Sequence, residues 1–217
     1  MAKSTVMDEG KQHLTIAPPN IQRATFAIVG TSPYVQQAFS EEARQQMHAD
    51  QEAGSTTKKG RKRAPKDFQK QYENAMHIAM DGWHGIPAPA FRNAMVSACR
   101  LCGFHMTKAK LAVWTVGDGI DRADKTTPLV RITNGKPEYS ELPVRNANGS
   151  CDLRARPMWP AGWEAEVTVE YDADMFTIDD VANLLLRVGL QVGIGAGRND
   201  STSSCGMGWG HFKFKED

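Results

Sequence analysis

Six glycines, one arginine and one tryptophan fall between Gly193 and Gly210, a composition that lets a backbone pass close to another molecule. Phosphate binding is the chemistry this supplies. Glycine lacks a Cβ, so it permits positive φ and exposes amide N–H groups to phosphate oxygens, while Arg198 can fork onto a phosphate and Trp209 can stack on a base. A tight connector has the same composition. A dinucleotide-binding loop does not fit, because Gly193, Gly195 and Gly197 follow a helical pattern instead of opening one. Asp81 and His84 are close enough in sequence to suggest general acid–base chemistry. Beside Gly82, Trp83 and Gly85 they equally suit a plain turn, and no second catalytic group can be set against them, so a non-catalytic protein is expected. Cys99 and Cys102 have a metal-like spacing, yet Cys102 belongs to the apolar stripe of a helix and Cys151 and Cys205 are singles. Neither a metal site nor a cofactor is expected.

The elements that must position these residues can be read along the chain. Ile21–Gly30 has the β-branched and aromatic content of a strand, closed by the turn residues Gly30-Thr31-Ser32-Pro33. Ser40 to about Glu52 is helix-compatible. Pro87 and Pro89 bracket a helix start, after which Phe91, Met95, Ala98 and Cys102 recur on one face before Gly103. Lys110–Gly117 reads as a strand, Leu129–Thr133 and Glu138–Val144 as short extended segments, with Asn-Gly pairs at Asn134 and Asn148 favouring tight hairpins. Trp163–Tyr171 alternates as a strand with one buried face. Thr177 caps a helix whose stripe is Val181, Leu184, Leu185, Val188 and Val192, with Asp179 and Asp180 at the positive end of its dipole. His211–Lys215 closes as a strand. The expected fold is therefore α+β: a single domain over residues 1–217 with a βαββαβ core, insertions at about 40–75 and 118–160, and a glycine-rich loop before the last strand.

Formal net charge over the 217 residues is only +1, yet six of the nine residues from Lys58 to Lys66 are basic. Lys58, Lys59, Arg61, Lys62, Arg63 and Lys66 can hold phosphates locally, since attraction falls off over about a Debye length, ~8 Å in physiological salt. A solvated loop is the plainer account of such a run. The first twenty residues lack the apolar stretch of a signal peptide, and no segment approaches the roughly 18 apolar residues of a membrane span, so a cytoplasmic protein is expected.

Ile86-Pro87-Ala88-Pro89-Ala90-Phe91-Arg92-Asn93-Ala94 and the run from Gly197-Arg198 to Gly206-Met207-Gly208-Trp209-Gly210-His211-Phe212 resemble two motifs of the RAMP superfamily. That superfamily includes the guide-RNA-binding backbone subunits and processing nucleases of CRISPR effector complexes. The motifs are an Ile-Pro lead-in to the first helix and a Gly-x-x-Arg-x-x-Gly-x-Gly loop before the last strand. Here Ala88-Pro89-Ala90 replaces the usual small hydroxyl residues, and the loop is stretched between Arg198 and Gly206.

The resemblance implies a ferredoxin-like, RRM-like fold that binds single-stranded RNA or DNA, RNA ahead of DNA. It implies contacts from Arg92, Arg198 and Asn199, with the 58–66 stretch as an electrostatic arm and Arg145, Arg154 and Arg156 as lesser candidates. Head-to-tail homo-oligomers, a filament or ring along the strand, follow from it. A stand-alone relative encoded by a phage is one version. The alternatives are an RNA-processing endonuclease using His84 or Asp81, and an assembly subunit without nucleic acid, such as a CRISPR decoy or phage structural component.

Overall fold

Ile21–Gly30 is the strand that its composition predicts, and its alternation sets the layering: Ala24, Phe26 and Ile28 turn into the core while Arg23, Thr25 and Ala27 stay exposed. The computed structural model describes residues 17–52, 54, 65–145, 151–200 and 206–216. In chain order these form β1 (Ile21–Gly30), β2 (Tyr34–Val35), α1 (Glu41–Glu52), α2 (Phe68–Asn74), β3 (Gly85–Pro87), α3 (Ala88–Ala98), α4 (Met106–Ala112), β4 (Val113–Val116), β5 (Gly119–Ile120), β6 (Pro128–Asn134), β7 (Glu138–Arg145), β8 (Cys151–Trp159), β9 (Glu164–Asp172), α5 (Ile178–Arg187) and β10 (Phe212–Phe214). The protein is α+β, and its sheets are antiparallel throughout.

β1 lies between β10 and β9, with Thr25 opposite Thr168 and Gly30 opposite Phe212. The far edge of β9 is shared: β4 pairs with Thr168–Tyr171, and β6 pairs with Glu164 and Ala165. Helices α3 and α5 cover one face and meet each other there. Phe91, Met95, Val167, Val169, Leu185 and Phe212 are fully buried between the layers, and burying each such side chain contributes roughly 1.5–3 kcal/mol. Thr177 caps α5 as its position predicts. Its Oγ1 accepts from the Asp180 N–H at 3.1 Å and the Asp180 carboxylate accepts from the Thr177 N–H at 2.9 Å, a capping box. Val181, Leu184, Leu185, Val188 and Val192, the expected stripe, are all buried.

A second sheet, β2-β8-β7, joins the first at a corner of aromatic rings. Tyr34 lies 5.7 Å from Trp159 and 5.6 Å from Trp163 between ring centroids, and the Trp163 indole N–H donates to the Ser32 carbonyl at 3.0 Å. Gly30 packs flat on that indole: a Cβ at position 30 would fall 2.1 Å from Trp163 Nε1.

Three expectations are corrected. Lys110–Ala112 is the end of helix α4, so the strand predicted from Lys110 begins only at Val113. Cys102 is exposed and Cys99 is the buried cysteine, because the chain tightens to a 3₁₀ turn over Cys99–Cys102 before Gly103. About three residues per turn in place of 3.6 rotates Cys102 off the apolar stripe. Asn134-Gly135 does not close a hairpin, since β6 pairs in the first sheet and β7 in the second; the chain changes sheets there. Asn148-Gly149 lies outside the described residues.

Candidate nucleic-acid interface

The start of α3 and the glycine-rich loop form two walls of one cleft of about 370 Å³. Pro87 lines it from the turn into α3, and Ala90, Asn93, Ala94 and Ser97 from one face of the helix, at three- and four-residue steps. Ile194–Ala196, Arg198 and Asp200 line it from the loop, Tyr34–Gln37 form its floor, and His77 closes one end.

Hydrogen bonds between backbone segments fix the loop against that floor. Ala196 N–H donates to Val35 O at 2.9 Å, Gly210 N–H to Pro33 O at 2.7 Å, and Ile194 N–H to Gly210 O at 3.1 Å. Gly210 must be glycine: at φ +72° a Cβ would lie 1.8 Å from the Ile194 carbonyl oxygen. Trp209 is half-buried, laid over Gly197, to whose carbonyl its own N–H donates at 3.3 Å.

Arg198 donates to the carbonyl of Gly195 at 3.0 Å. Among the described residues this is its one hydrogen bond, and its charge lies near Asp200. Asp200 is committed to the scaffold: the Ser97 hydroxyl, and after it Arg100 at 2.5 Å and the nearby charge of Arg198, hold its carboxyl below the usual carboxylate range. Asn199 turns to the outer side of the loop, where its amide donates to Gln191 O at 3.4 Å and sits 3.1 Å from His211 Nε2.

Arg92 lies elsewhere. Two residues beyond Ala90 it falls on the opposite flank of α3, where it donates to the carbonyls of Val113 at 3.2 Å and of Lys110, closing the end of α4. Lys66 pairs with Asp152 and donates to Leu153 O at 3.1 Å. Lys58, Lys59, Arg61, Lys62 and Arg63 lie outside the described residues. Asp81 is exposed at a turn, and His84 packs edge-on against Trp159 at 5.6 Å; neither lines the cleft. Burial, and then the charge of Arg122, lower the affinity of His84 for a proton, and its Nδ1 is buried with no partner among the described residues. His84 is half-buried, with its ring against Trp159.

Sequence reasoning missed the histidine that does line the cleft. His77 Nδ1 sits 2.5 Å from an Asp121 carboxylate oxygen, and Asp121 also accepts from the Ala123 N–H at 2.9 Å. The pair is brought together by isolated bridges, Ile78 with His84 and Ala79 with Asp121, and no periodicity or motif in either stretch announces it. Among the described residues no group of three or more His, Cys, Asp or Glu side chains could hold a metal, and no helix is long and apolar enough to cross a membrane.

The open face of the first sheet offers a different surface. Glu164, Glu166 and Glu170 project from β9 on the side away from its buried residues, with Arg23 paired to Glu170 and Lys215 to Glu164 at 2.8 Å. On β1 and β9 that face carries no aromatic side chain, but Trp114 of β4, opposite Glu170, and Lys213 of β10, opposite Val29, lie on it. Compared with protein-family models and with curated proteins, the sequence matches none.

Proposed function

We propose that this chain is a non-catalytic, single-stranded nucleic-acid-binding protein of the RAMP type that grips a sugar-phosphate backbone at the cleft between α3 and the glycine-rich loop, RNA in preference to DNA. One observation carries the reading: two motifs far apart in sequence, at Pro87 and at Gly195–Arg198, line the same cleft. The proposal includes the finer fold. β1, α3, β4, β9, α5 and β10 follow one another as βαββαβ, and the pairing order β10-β1-β9-β4 is the order of a ferredoxin-like sheet, with α1, α2 and the second sheet as insertions. Head-to-tail stacking along the strand, inside the cell, belongs to the same proposal.

Fluorescence anisotropy with labelled single-stranded RNA and DNA over a salt series tests it. Affinity falls with salt, and Arg198→Ala weakens binding and lowers the log–log salt slope by about 0.7, the loss of one phosphate contact. Flat curves at low salt for both strands would refute the proposal.

A second reading, metal-independent RNA cleavage, is favoured by His77, which lines the cleft with Nδ1 held by Asp121. In that reading Nε2 takes the proton of a ribose 2′-hydroxyl and the 2′-oxygen bonds to the adjacent phosphorus. The bond to the 5′-oxygen breaks, that oxygen takes up a proton, and a 2′,3′-cyclic phosphate remains. Discrete products from labelled RNA that vanish in His77→Ala would establish it; intact RNA supports the binding protein.

A further inference from the structure

Asn134 is the one asparagine among the described residues that glycine follows, and it stands where the chain leaves the first sheet for the second. It is the last residue of β6, past a shift of register after Ile132, and both it and Gly135 are exposed. The Gly135 N–H donates to Asn134 Oδ1 at 3.0 Å and, among the described residues, to no other acceptor. No ladder bond therefore covers this nitrogen, and the carbonyl carbon of the Asn134 side chain is one bond beyond the oxygen that it touches. Glycine keeps the approach open: with no Cβ and a φ of +98°, position 135 sets no side chain beside the reacting atoms. At its other end the side-chain amide is held by one bond, Nδ2 donating to Gly162 O at 3.3 Å, longer than the usual N–H···O distance. Glu164, opposite Asn134 in the ladder, is engaged by Lys215, and the next residue in the chain, Lys136, is exposed and favours negative charge nearby.

We propose that Asn134 is a self-modifying site, at which the folded protein converts its own side-chain amide, through the Gly135 nitrogen, to aspartate and isoaspartate. Hydroxide takes the proton of the Gly135 N–H, and the nitrogen forms a bond to Asn134 Cγ. The bond from Cγ to Nδ2 breaks; Nδ2 takes a proton from water, which returns the hydroxide, and leaves as ammonia. A five-membered succinimide remains, and water opens it. Addition at Cγ gives aspartate in an ordinary chain, whereas addition at the main-chain carbonyl carries the chain through Cγ and gives isoaspartate. The sequence consumes water alone and oxidises nothing. Either product loses the donor to Gly162 O and sets a carboxylate across from Glu164, a like-charge pair at the crossover between the sheets. The inference stands apart from the binding reading, since it needs no ligand.

Peptide mapping of the intact protein after incubation at about pH 7 and about pH 9 tests it. Trypsin releases residues 132–145 as one peptide, because it does not cut before Pro137, and the other Asn-Gly pair of the sequence, at Asn148, falls in a separate one. Peptide 132–145 gains the mass of an amide-to-acid exchange and splits into two products, of which a methyltransferase specific for isoaspartate labels one. Conversion runs faster at the higher pH, by up to about tenfold per pH unit, because the attacking species is the deprotonated nitrogen. A synthetic peptide of residues 132–145 sets the scale, and the folded protein converts within about tenfold of its rate. Asn134→Gln, whose attack needs a six-membered ring, keeps its amide, and its melting curve shows that it is folded. If the folded protein converts more than about tenfold more slowly than the free peptide, the fold shields the site and the inference is overturned. Aspartate formed without any isoaspartate would rule out the ring and overturn it too.

Discussion

Gln36 is 1 % exposed and commits both ends of its amide to the walls of the cleft. Nε2 donates to Gly85 O at 2.6 Å and to the Tyr34 hydroxyl at 3.3 Å, and Oε1 accepts from the His77 N–H at 2.9 Å. Replacing it leaves buried donors and acceptors without partners, each costing about 1–3 kcal/mol. Gln36→Leu should therefore lower stability by roughly 2–3 kcal/mol in urea unfolding, and a change within the error of the midpoint would show that water replaces the amide. His84 gives a pH dependence. Its native imidazole binds a proton less readily than the ordinary value of 6.5, chiefly because it is buried. As pH falls through about 6.5, the unfolded chain takes up a proton that the native protein does not, so stability falls until the depressed native value is reached. Unfolding midpoints between about pH 8 and 5 should slope downward for the parent and less steeply for His84→Gln. A separate loss follows at lower pH. Burial raises the Asp124 carboxyl, but the Thr127 hydroxyl and the N–H groups of Thr127 and Thr126 outweigh it and hold the group at about 2.

Among the elements, the glycine-rich loop bears the tightest constraint. Gly210→Ala combines an unfavourable positive φ with a clash against the Ile194 carbonyl. It should cost several kcal/mol, visible as a fall in melting temperature, with strand binding lost in proportion to unfolded protein. The elements most legible in the sequence are those whose period agrees with their burial. β1 matches its predicted bounds, and α5 announces both its cap and its stripe. Where local pattern and tertiary demand diverge, the sequence misleads: Lys110–Ala112 looks extended yet completes a helix whose final turn Arg92 closes. The site was legible by halves. Arg198 and the Ile-Pro turn carry their own composition, whereas His77, Asp121 and Gln36 owe their positions to long-range bridges and packing that leave no local trace.

At the scale of the described residues, the glutamates on the open side of the first sheet are matched by basic groups, Arg23 with Glu170 and Lys215 with Glu164, while Arg198 lines the cleft on the loop side. A strand bound on the loop side should be indifferent to the sheet, so Glu166→Gln is expected to change affinity by less than about twofold in anisotropy, given screening over ~8 Å. A larger gain would move the interface to the sheet. The corner joining the two sheets has a consequence of its own. Position 30 is held small by the indole at 163, since its φ lies outside the left-handed region while a Cβ there would fall on the ring. Divergent descendants of this chain can enlarge residue 30 only by trading that tryptophan for something slimmer. The two sites should thus be inherited as a matched pair, and a library randomised at both should return compensating combinations in place of independent choices.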